Sequence, residues 1–454
     1  MARRADPITM AEVRLHLPQG QAQTVGWLSR VGDNQRMSFA PDYIGDPRRP
    51  TLSQLYSGQT PAQTQAILSA VNDRRLVRIG LLPSWFSNLL PEGANRDRLA
   101  AQRGCDVGDE FELLAAAGHD LSGAVEVVPA QDVPHSVLQL HSTLNLEPLE
   151  PNALAAPVDD GFSVDGVQTK FSMVEAGRHY VVRRGTEAGD FIAKLPQSNR
   201  PDLVRNEAAC YGLSAAVGMT TAKVSVQPTS ALQLPQHVIE RFEDVLMVER
   251  FDRRRLPGGK RIRVHFEELA QAIGLDSRQK YGGRPDGLQA AMRALLVILK
   301  VSDAAGQADI DEVFRRWTAY ALMGNTDAHL KNWGLIYPDG VNARLAPAYD
   351  IVSVASYFDD KDKLALAHNR AIDVTLRKWD EDAAEALAKS AGLLSFNRAR
   401  KIVRDTRAQA AERWPQLLHD APDAVRQTVT QRLAELAPAA AAQRPGPTPR
   451  QRPS

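Results

Sequence analysis

The pattern of the chain changes character part-way along, and that change narrows its possible folds more than any single motif. Between 161 and about 252 it is a succession of short β-like runs, at 169–174, 179–183, 190–195, 223–227 and 246–251. One helical stretch, 202–217, interrupts them, with Ala208, Ala209, Leu213 and Ala216 at helical intervals. From 265 to 435 the pattern is mostly helical outside 324–355, with the short runs 364–367 and 372–376 excepted by their length and flanks. A β-rich lobe followed by a helical lobe predicts a two-lobed α+β fold. Upstream, 1–130 mixes strand-like runs at 13–17 and 24–28 with helical patterns at 60–70 and 96–117, and reads as a separate N-terminal subdomain. The span 131–252 is then the β-rich lobe, with a Pro/Ser/Asn/Asp-rich linker at its start, and 253–435 is the helical lobe. Residues 436–454 hold almost no large apolar side chain and are expected to be disordered.

Composition supports two to four domains or subdomains in 454 residues. The 55 Lys+Arg nearly cancel 54 Asp+Glu, so whole-chain charge gives no reason for tight non-specific nucleic-acid binding. Two cysteines, Cys105 and Cys210, exclude a disulfide scaffold and read as free buried thiols in a reducing cytosol. The arginines near the N-terminus are not followed by an apolar core, and no run approaches the ~20 residues of a membrane span. A cytoplasmic protein with no membrane partner is expected.

Residues 324–337 run Gly-Asn-Thr-Asp-Ala-His-Leu-Lys-Asn-Trp-Gly-Leu-Ile-Tyr, and Ala-Tyr-Asp-Ile-Val-Ser follows at 348–353. One carboxylate to orient a hydroxyl, then an amide and a second carboxylate to hold a divalent cation, is the polar order of a phosphotransfer centre. Helix capping would explain Asp327 alone, and a turn would explain Asn332 alone. Neither explains Asp350 between apolar neighbours, where a carboxylate needs a cation or several donors. Bound Mg²⁺ meets that need. If Asp327 and Asn332 converge, His329 and Lys331 are expected to point elsewhere. The histidines form no zinc-type spacing. The reaction expected from this segment is ATP-dependent phosphoryl transfer.

Other parts of a nucleotide site are weaker singly. Gly161-Phe-Ser-Val-Asp-Gly-Val-Gln-Thr-Lys170 could offer backbone N–H groups to phosphates, or be an ordinary hairpin turn; it is not a P-loop. Lys194, in the apolar run Phe191-Ile-Ala-Lys-Leu-Pro, either points to water from an edge strand or pairs with phosphates and a helix carboxylate such as Glu207. Glu249, Arg250 and Phe251 stand at a strand end where a hinge could meet a base edge, or are simply a charged strand exit.

Together these segments resemble the HipA family of serine/threonine kinases, the toxins of HipA–HipB toxin–antitoxin modules. Residues 163–170 are similar to that family's loop, 191–196 to its lysine strand, 248–253 to its hinge, and 325–332 and 349–353 to its catalytic and metal motifs. Phe86-Ser-Asn-Leu-Leu-Pro-Glu-Gly93 and the stretch from His265 to Tyr281 agree as well, so the resemblance spans about 10 to 430. It implies a protein-kinase-like fold with ATP and Mg²⁺ as cofactors and Asp327 as catalytic base. Asn332 and Asp350 would hold the metal, and Lys194 would contact the phosphates. Asp165, Gly166, Val167, Gln168, Thr169 and Lys170 would form the phosphate-side loop. Glu249 to Phe251 would lie at the adenine, with His329, Leu330, Lys331 and Tyr349 lining the nucleotide. Ser163 occupies the autophosphorylated position, where added negative charge would expel the loop and weaken ATP binding. One departure is acidic Asp165, unfavourable beside a triphosphate unless it faces solvent or metal.

The resemblance further implies a HipB-like helix-turn-helix antitoxin as partner, DNA contact only through that partner, and an aminoacyl-tRNA synthetase as substrate, with growth arrest or persistence as the outcome. Two other readings compete. One is a catalytically weak HipA-like protein acting as antitoxin-binding co-repressor. The other is a small-molecule kinase, disfavoured because those enzymes usually carry His-x-Asp in the loop and lack the 86–93 and 163–170 blocks.

Overall fold

A computed structural model of the chain describes residues 8–135, 137–138, 152–153, 170–176, 179–182, 188–197, 200–233, 241–282, 287–302, 304–358 and 367–437. The fold is α+β and protein-kinase-like in its two lobes, with a further β-sheet subdomain in front. In that subdomain the strands stand in the order Val77–Ile79, Asn34–Phe39, Ala22–Val31, Ile8–His16 and Val125–Pro129, with Asn152–Ala153 also pairing with Ile8–His16. Val13, Leu15, Val25, Leu28 and Met37 are buried from the sheet into one core, with Phe111, Leu113 and Leu114 of the helix Glu110–Ala117.

The β-rich lobe is a second sheet, in the order Val224–Pro228, Asp244–Glu249, Phe191–Lys194, Lys170–Ala176, His179–Val182 and Leu232–Gln233. Its helix, Leu203–Ala216, buries Val204, Cys210, Tyr211 and Leu213 in the core of the helical lobe. At the centre of that lobe lies Gln307–Met323, buried on nearly all sides and packed against Phe396–Leu417 and Asp423–Leu436. A small sheet of His265–Glu268, Gly334–Tyr337 and Arg344–Leu345 spans the interval between the 324–332 loop and the 348–353 turn.

The N-terminal subdomain is fastened to the helical lobe by buried polar groups. The Glu267 carboxylate accepts hydrogen bonds from Ser53 Oγ (2.6 Å), the Gln54 N–H (3.0 Å), Trp85 Nε1 (3.0 Å) and the Tyr337 hydroxyl (2.5 Å). A buried carboxylate is tolerable only when its oxygens are satisfied in this way. Next to it, His265 Nε2 donates to the Leu52 carbonyl (2.8 Å) and its ring stacks on Tyr337. Asp120 does the same for the β-rich lobe and the chain leaving it. Its carboxylate binds Arg250 and Arg253, each at 2.9 Å, and the Ser172 hydroxyl.

Several sequence expectations are corrected. The helical pattern at 96–117 is two helices, Gly93–Arg103 and Glu110–Ala117, because Gly104 ends the first at φ 71° and Asp109 caps the second by accepting from the Glu112 N–H. The run 372–376 is not an extended exception but lies within the helix Ala367–Arg377, where Ile372 and Leu376 fall one turn apart and are both buried. His265–Glu268 is a strand in a stretch read as helical. Cys105 and Cys210 are free thiols, but only Cys210 is buried. Of the 436–454 tail, Leu436 closes a helix and Ala437 is buried against the core; 438–454 lie outside the described residues. Most of the 131–160 linker also lies outside them.

Burial holds the His265 ring neutral, with its pKa lowered from 6.5 to about 4. Between those values the unfolded chain binds a proton that the folded chain refuses, so stability rises with pH across that window and is lost on acidification through it. Replacing His265 with Asn keeps a donor for Leu52. It is expected to flatten the dependence of the melting midpoint on pH between about 6.5 and 4. Equal slopes in both proteins would contradict this assignment.

Candidate active site

The catalytic-type loop follows from how the central helix ends. Gly324 takes φ 71° after Met323, and a Cβ there would come within 2.7 Å of the Ala355 side chain. The chain then coils tightly, with the His329 N–H on the Asp327 carbonyl (2.7 Å) and the Asn332 N–H on the His329 carbonyl (2.8 Å). The side-chain amide of Asn332 donates to the Asp327 carbonyl at 2.8 Å, which fixes its orientation in the loop. Asp350 is the only non-glycine residue at positive φ among the described residues, at 56°, and its N–H donates to the Tyr211 hydroxyl (3.2 Å). Such a conformation is unfavourable away from glycine, Asn and Asp and is held here by its surroundings.

The β-rich lobe supplies the opposing charges. Lys170 and Lys194 are directly opposite in adjacent strands, and both are buried. Like charges so paired repel one another and require anions. Lys194 is held between Glu207, from the helix Leu203–Ala216, and Asp350, from the far lobe. Lys170 Nζ lies 3.5 Å from the other Asp350 oxygen. Burial works against the Lys194 ammonium, but Asp350 and Glu207 outweigh it and hold its pKa above the ordinary lysine value. Burial likewise opposes the Asp350 carboxylate, and Lys170 and Lys194 outweigh it, leaving the group well below the usual carboxylate range. Glu207 is buried more deeply, and desolvation pushes its carboxyl upward despite Lys194.

Lys170, Lys194 and Asp350 face one cavity of about 380 Å³ between the lobes, with Glu207 behind Lys194. It is lined by Lys170, Lys194, Glu249, Arg250, Phe251, Asp327, His329, Lys331, Asn332, Tyr349 and Asp350. The expected divergence of His329 and Lys331 does not occur, because the coiled loop turns both toward the space shared by Asp327 and Asn332. Burial lowers the His329 pKa and keeps the ring neutral. Leu330 goes the other way: its side chain is fully buried in the helical-lobe core. Arg250 presents little more than backbone, since its guanidinium is buried against Asp120 and Asp252. The Glu249 side chain is exposed and pairs with Lys223 (3.3 Å). Ser163 and Asp165 to Thr169 lie outside the described residues.

Other wall residues have no role in the sequence reading. Phe266 completes an aromatic cluster with Phe251 (5.2 Å) and Tyr349 (5.7 Å), and it fits because a Cβ on Gly334 would lie 2.2 Å from its ring. Glu92 reaches in from the N-terminal subdomain to Lys280 (2.8 Å) and Lys331 (3.0 Å). Tyr281 and Asn369 both touch Asp327. Glu92, Phe266 and Tyr281 lie in or beside blocks noted in the sequence, whereas nothing there marks Asn369.

A HipA-like C-terminal domain matches residues 162–414, more than half of the chain, and a HipA N-terminal domain matches 20–128. The chain belongs to the HipA family. The HipA relative "Putative kinase Y4dM" of Sinorhizobium fredii (strain NBRC 101917 / NGR234) is 34% identical over 415 residues, 90% of each chain. The "Serine/threonine-protein kinase toxin HipA" of Shewanella oneidensis MR-1 is 28% identical over 304 residues, 64% of this chain and 67% of that one. In fold, the chain is similar to the Shewanella oneidensis HipA solved with HipB and operator DNA, with a TM-score of 0.64 at 22% identity, covering 93% of this chain and 96% of that one. It is thus a kinase of the HipA type. Among the described residues, no helix is long and apolar enough to cross a membrane.

Breaking a buried ion pair by removing one partner costs about 3–5 kcal/mol. Lys194→Met is therefore expected to lower the unfolding free energy by roughly that amount, and adding Glu207→Leu to recover most of it. Denaturant titration checks this; a single variant as stable as the parent would contradict the pairing.

Proposed function

We propose that this HipA-family chain transfers the γ-phosphoryl group of ATP to serine or threonine hydroxyls of proteins, its own Ser163 included. The observation that carries the reading is the Lys194 ammonium held between Glu207 and Asp350 on the wall that also bears Asp327 and Asn332. That wall combines cations for phosphate oxygens with a carboxylate and an amide oxygen, the hard donors that suit Mg²⁺. Among the described residues no three His, Cys, Asp or Glu side chains form a metal cluster. Asp350 and Asn332 would be the protein's share of the ligands, as is usual where phosphates and water supply the rest. The ion, when bound, neutralises negative charge on the phosphates.

The roles of the chain's own groups follow. Lys194, steadied by Glu207, presents its ammonium to phosphate oxygens, and Lys170 adds charge on the same side. The cluster of Phe251, Phe266 and Tyr349 offers apolar faces to the base. Asp327 accepts the proton of the acceptor hydroxyl through a carboxylate oxygen. Phosphorylated Ser163 would place two negative charges beside the loop 165–170 and disfavour nucleotide there.

The partner is proposed to be a HipB-like helix-turn-helix antitoxin, supported by the likeness in fold to a HipA solved with HipB and operator DNA. DNA would be reached only through that partner. An aminoacyl-tRNA synthetase as substrate rests on the family resemblance alone. The operator DNA in that complex motivates a second reading, a catalytically weak HipA-like protein that acts mainly as antitoxin-binding co-repressor.

Labelled ATP with Mg²⁺ separates the two. Label on Ser163 by peptide mass spectrometry, absent in Asp327→Ala, is the expected outcome; no transfer by a folded, antitoxin-binding protein would favour the co-repressor. Asp327→Ala is expected to keep its ATP affinity, because it acts on the acceptor. Asp350→Ala is expected to weaken Mg²⁺-dependent ATP binding about tenfold or more, since it removes a metal ligand. Calorimetry checks both, and an unchanged affinity in Asp350→Ala would remove it from the metal shell.

A further inference from the structure

Two sequence blocks, 86–93 and the end of 265–281, converge on the loop that carries Asp327. The Lys280 carbonyl accepts the Leu330 N–H at 2.8 Å, so the turn at 280–281 is bonded directly to that loop. The Tyr281 hydroxyl donates to Asp327 Oδ1 at 3.0 Å. The Tyr281 ring is fixed from two sides, stacked on His368 (4.8 Å, 8°) and edge-on to His329 (5.3 Å). From the helix Ala367–Arg377, the buried Asn369 amide donates to the same Asp327 Oδ1 at 3.1 Å and to the Thr326 carbonyl at 3.2 Å. Glu92, in the other block, ties Lys280 to Lys331 and closes the ring of contacts around the loop.

We propose that Tyr281 and Asn369 are positioning residues for Asp327, clamping Oδ1 so that Oδ2 is turned to the acceptor hydroxyl. The inference rests on the reading of Asp327 as the base. Rotation about the terminal torsion of an aspartate is soft, so an unsupported carboxylate would spend much of its time with neither oxygen well aimed. Two donors from different elements on one oxygen fix both the plane of the group and which oxygen remains for the proton. A tyrosine hydroxyl serves only while it keeps its proton. Burial and the neighbouring Asp327 carboxylate both push Tyr281 ionisation upward, so it stays a donor across the neutral range. Transfer geometry matters at the ångström scale, which makes such support worth much of what the base itself contributes.

The test uses the full chain with labelled ATP-Mg²⁺ and a serine-containing peptide library as acceptor. Tyr281→Phe keeps the ring stacking and loses only the hydroxyl; Asn369→Ser shortens the amide out of reach. Each is expected to lower the single-turnover rate about tenfold, and the pair on the order of 10²-fold, within the range a general base supplies. ATP affinity by calorimetry and the melting midpoint of Tyr281→Phe should match the parent. Parent-like rates in both variants, with Asp327→Ala inactive, would overturn the clamp. So would a loss of ATP affinity that tracks the loss of rate. Transfer by Asp327→Ala, or none by the parent chain, would instead fail the reading of Asp327 as base. Should Asn369→Ser not fold, Tyr281→Phe alone decides.

Discussion

Lys194 is the ion on which the rest of the cleft depends. It is buried, and a buried ammonium persists only where anions surround it. The two that do so come from different places: Glu207 from the helix of the β-rich lobe, and Asp350 from the turn after the catalytic-type loop. One side chain thereby sets the helix against its sheet and the two lobes against each other. The neighbouring Asn206 reinforces the second relation, since its side chain both accepts from the Ser353 N–H (2.9 Å) and donates to the Ser353 carbonyl (3.2 Å). The helix and the Asp350 turn are therefore joined through Lys194, which pairs with a carboxylate on each, and directly by the amide of Asn206.

The N-terminal subdomain belongs to the same system of constraints. Its Asp120 neutralises two arginines at the strand exit between the lobes, its Glu92 neutralises two lysines in the cleft, and its Ser53 and Trp85 satisfy Glu267. Asp120 and Glu267 are buried carboxylates completed across a boundary between units, by arginines and by neutral donors respectively, and leaving such a charge unsatisfied costs more than the contact yields. Kinase lobes and subdomain therefore work as one body around the cavity, although each has a largely separate apolar core.

Much of the fold was legible in the sequence because burial leaves a period. The five β-like runs of the central lobe and the helix among them match strands and a helix of the structure to within about two residues. Errors arose where a local signal was ambiguous. The run Ile372-Asp-Val-Thr-Leu is rich in β-branched residues, yet its core contacts fall four apart, so helical packing won. The pattern at 96–117 concealed a break that Gly104 and Asp109 impose through backbone conformation and capping. In the cleft, the types and order of Lys194, Asp327, Asn332 and Asp350 could be read directly, whereas the burial of Leu330 in the helical-lobe core and the buried guanidinium of Arg250 could not.

The sequence by itself determined the chemical inventory of this HipA-family chain: which carboxylates, amide and lysines are available, in what order, and on what kind of element. Only the tertiary structure decided that Glu92, Phe266, Tyr281 and Asn369 share their space, and that Lys170 and Lys194 face one another. The reason is physical. Periodicity reports whether a residue is buried, a property of its own element, but a buried charge or donor is completed by partners tens to hundreds of residues away, and no local pattern records which ones they are.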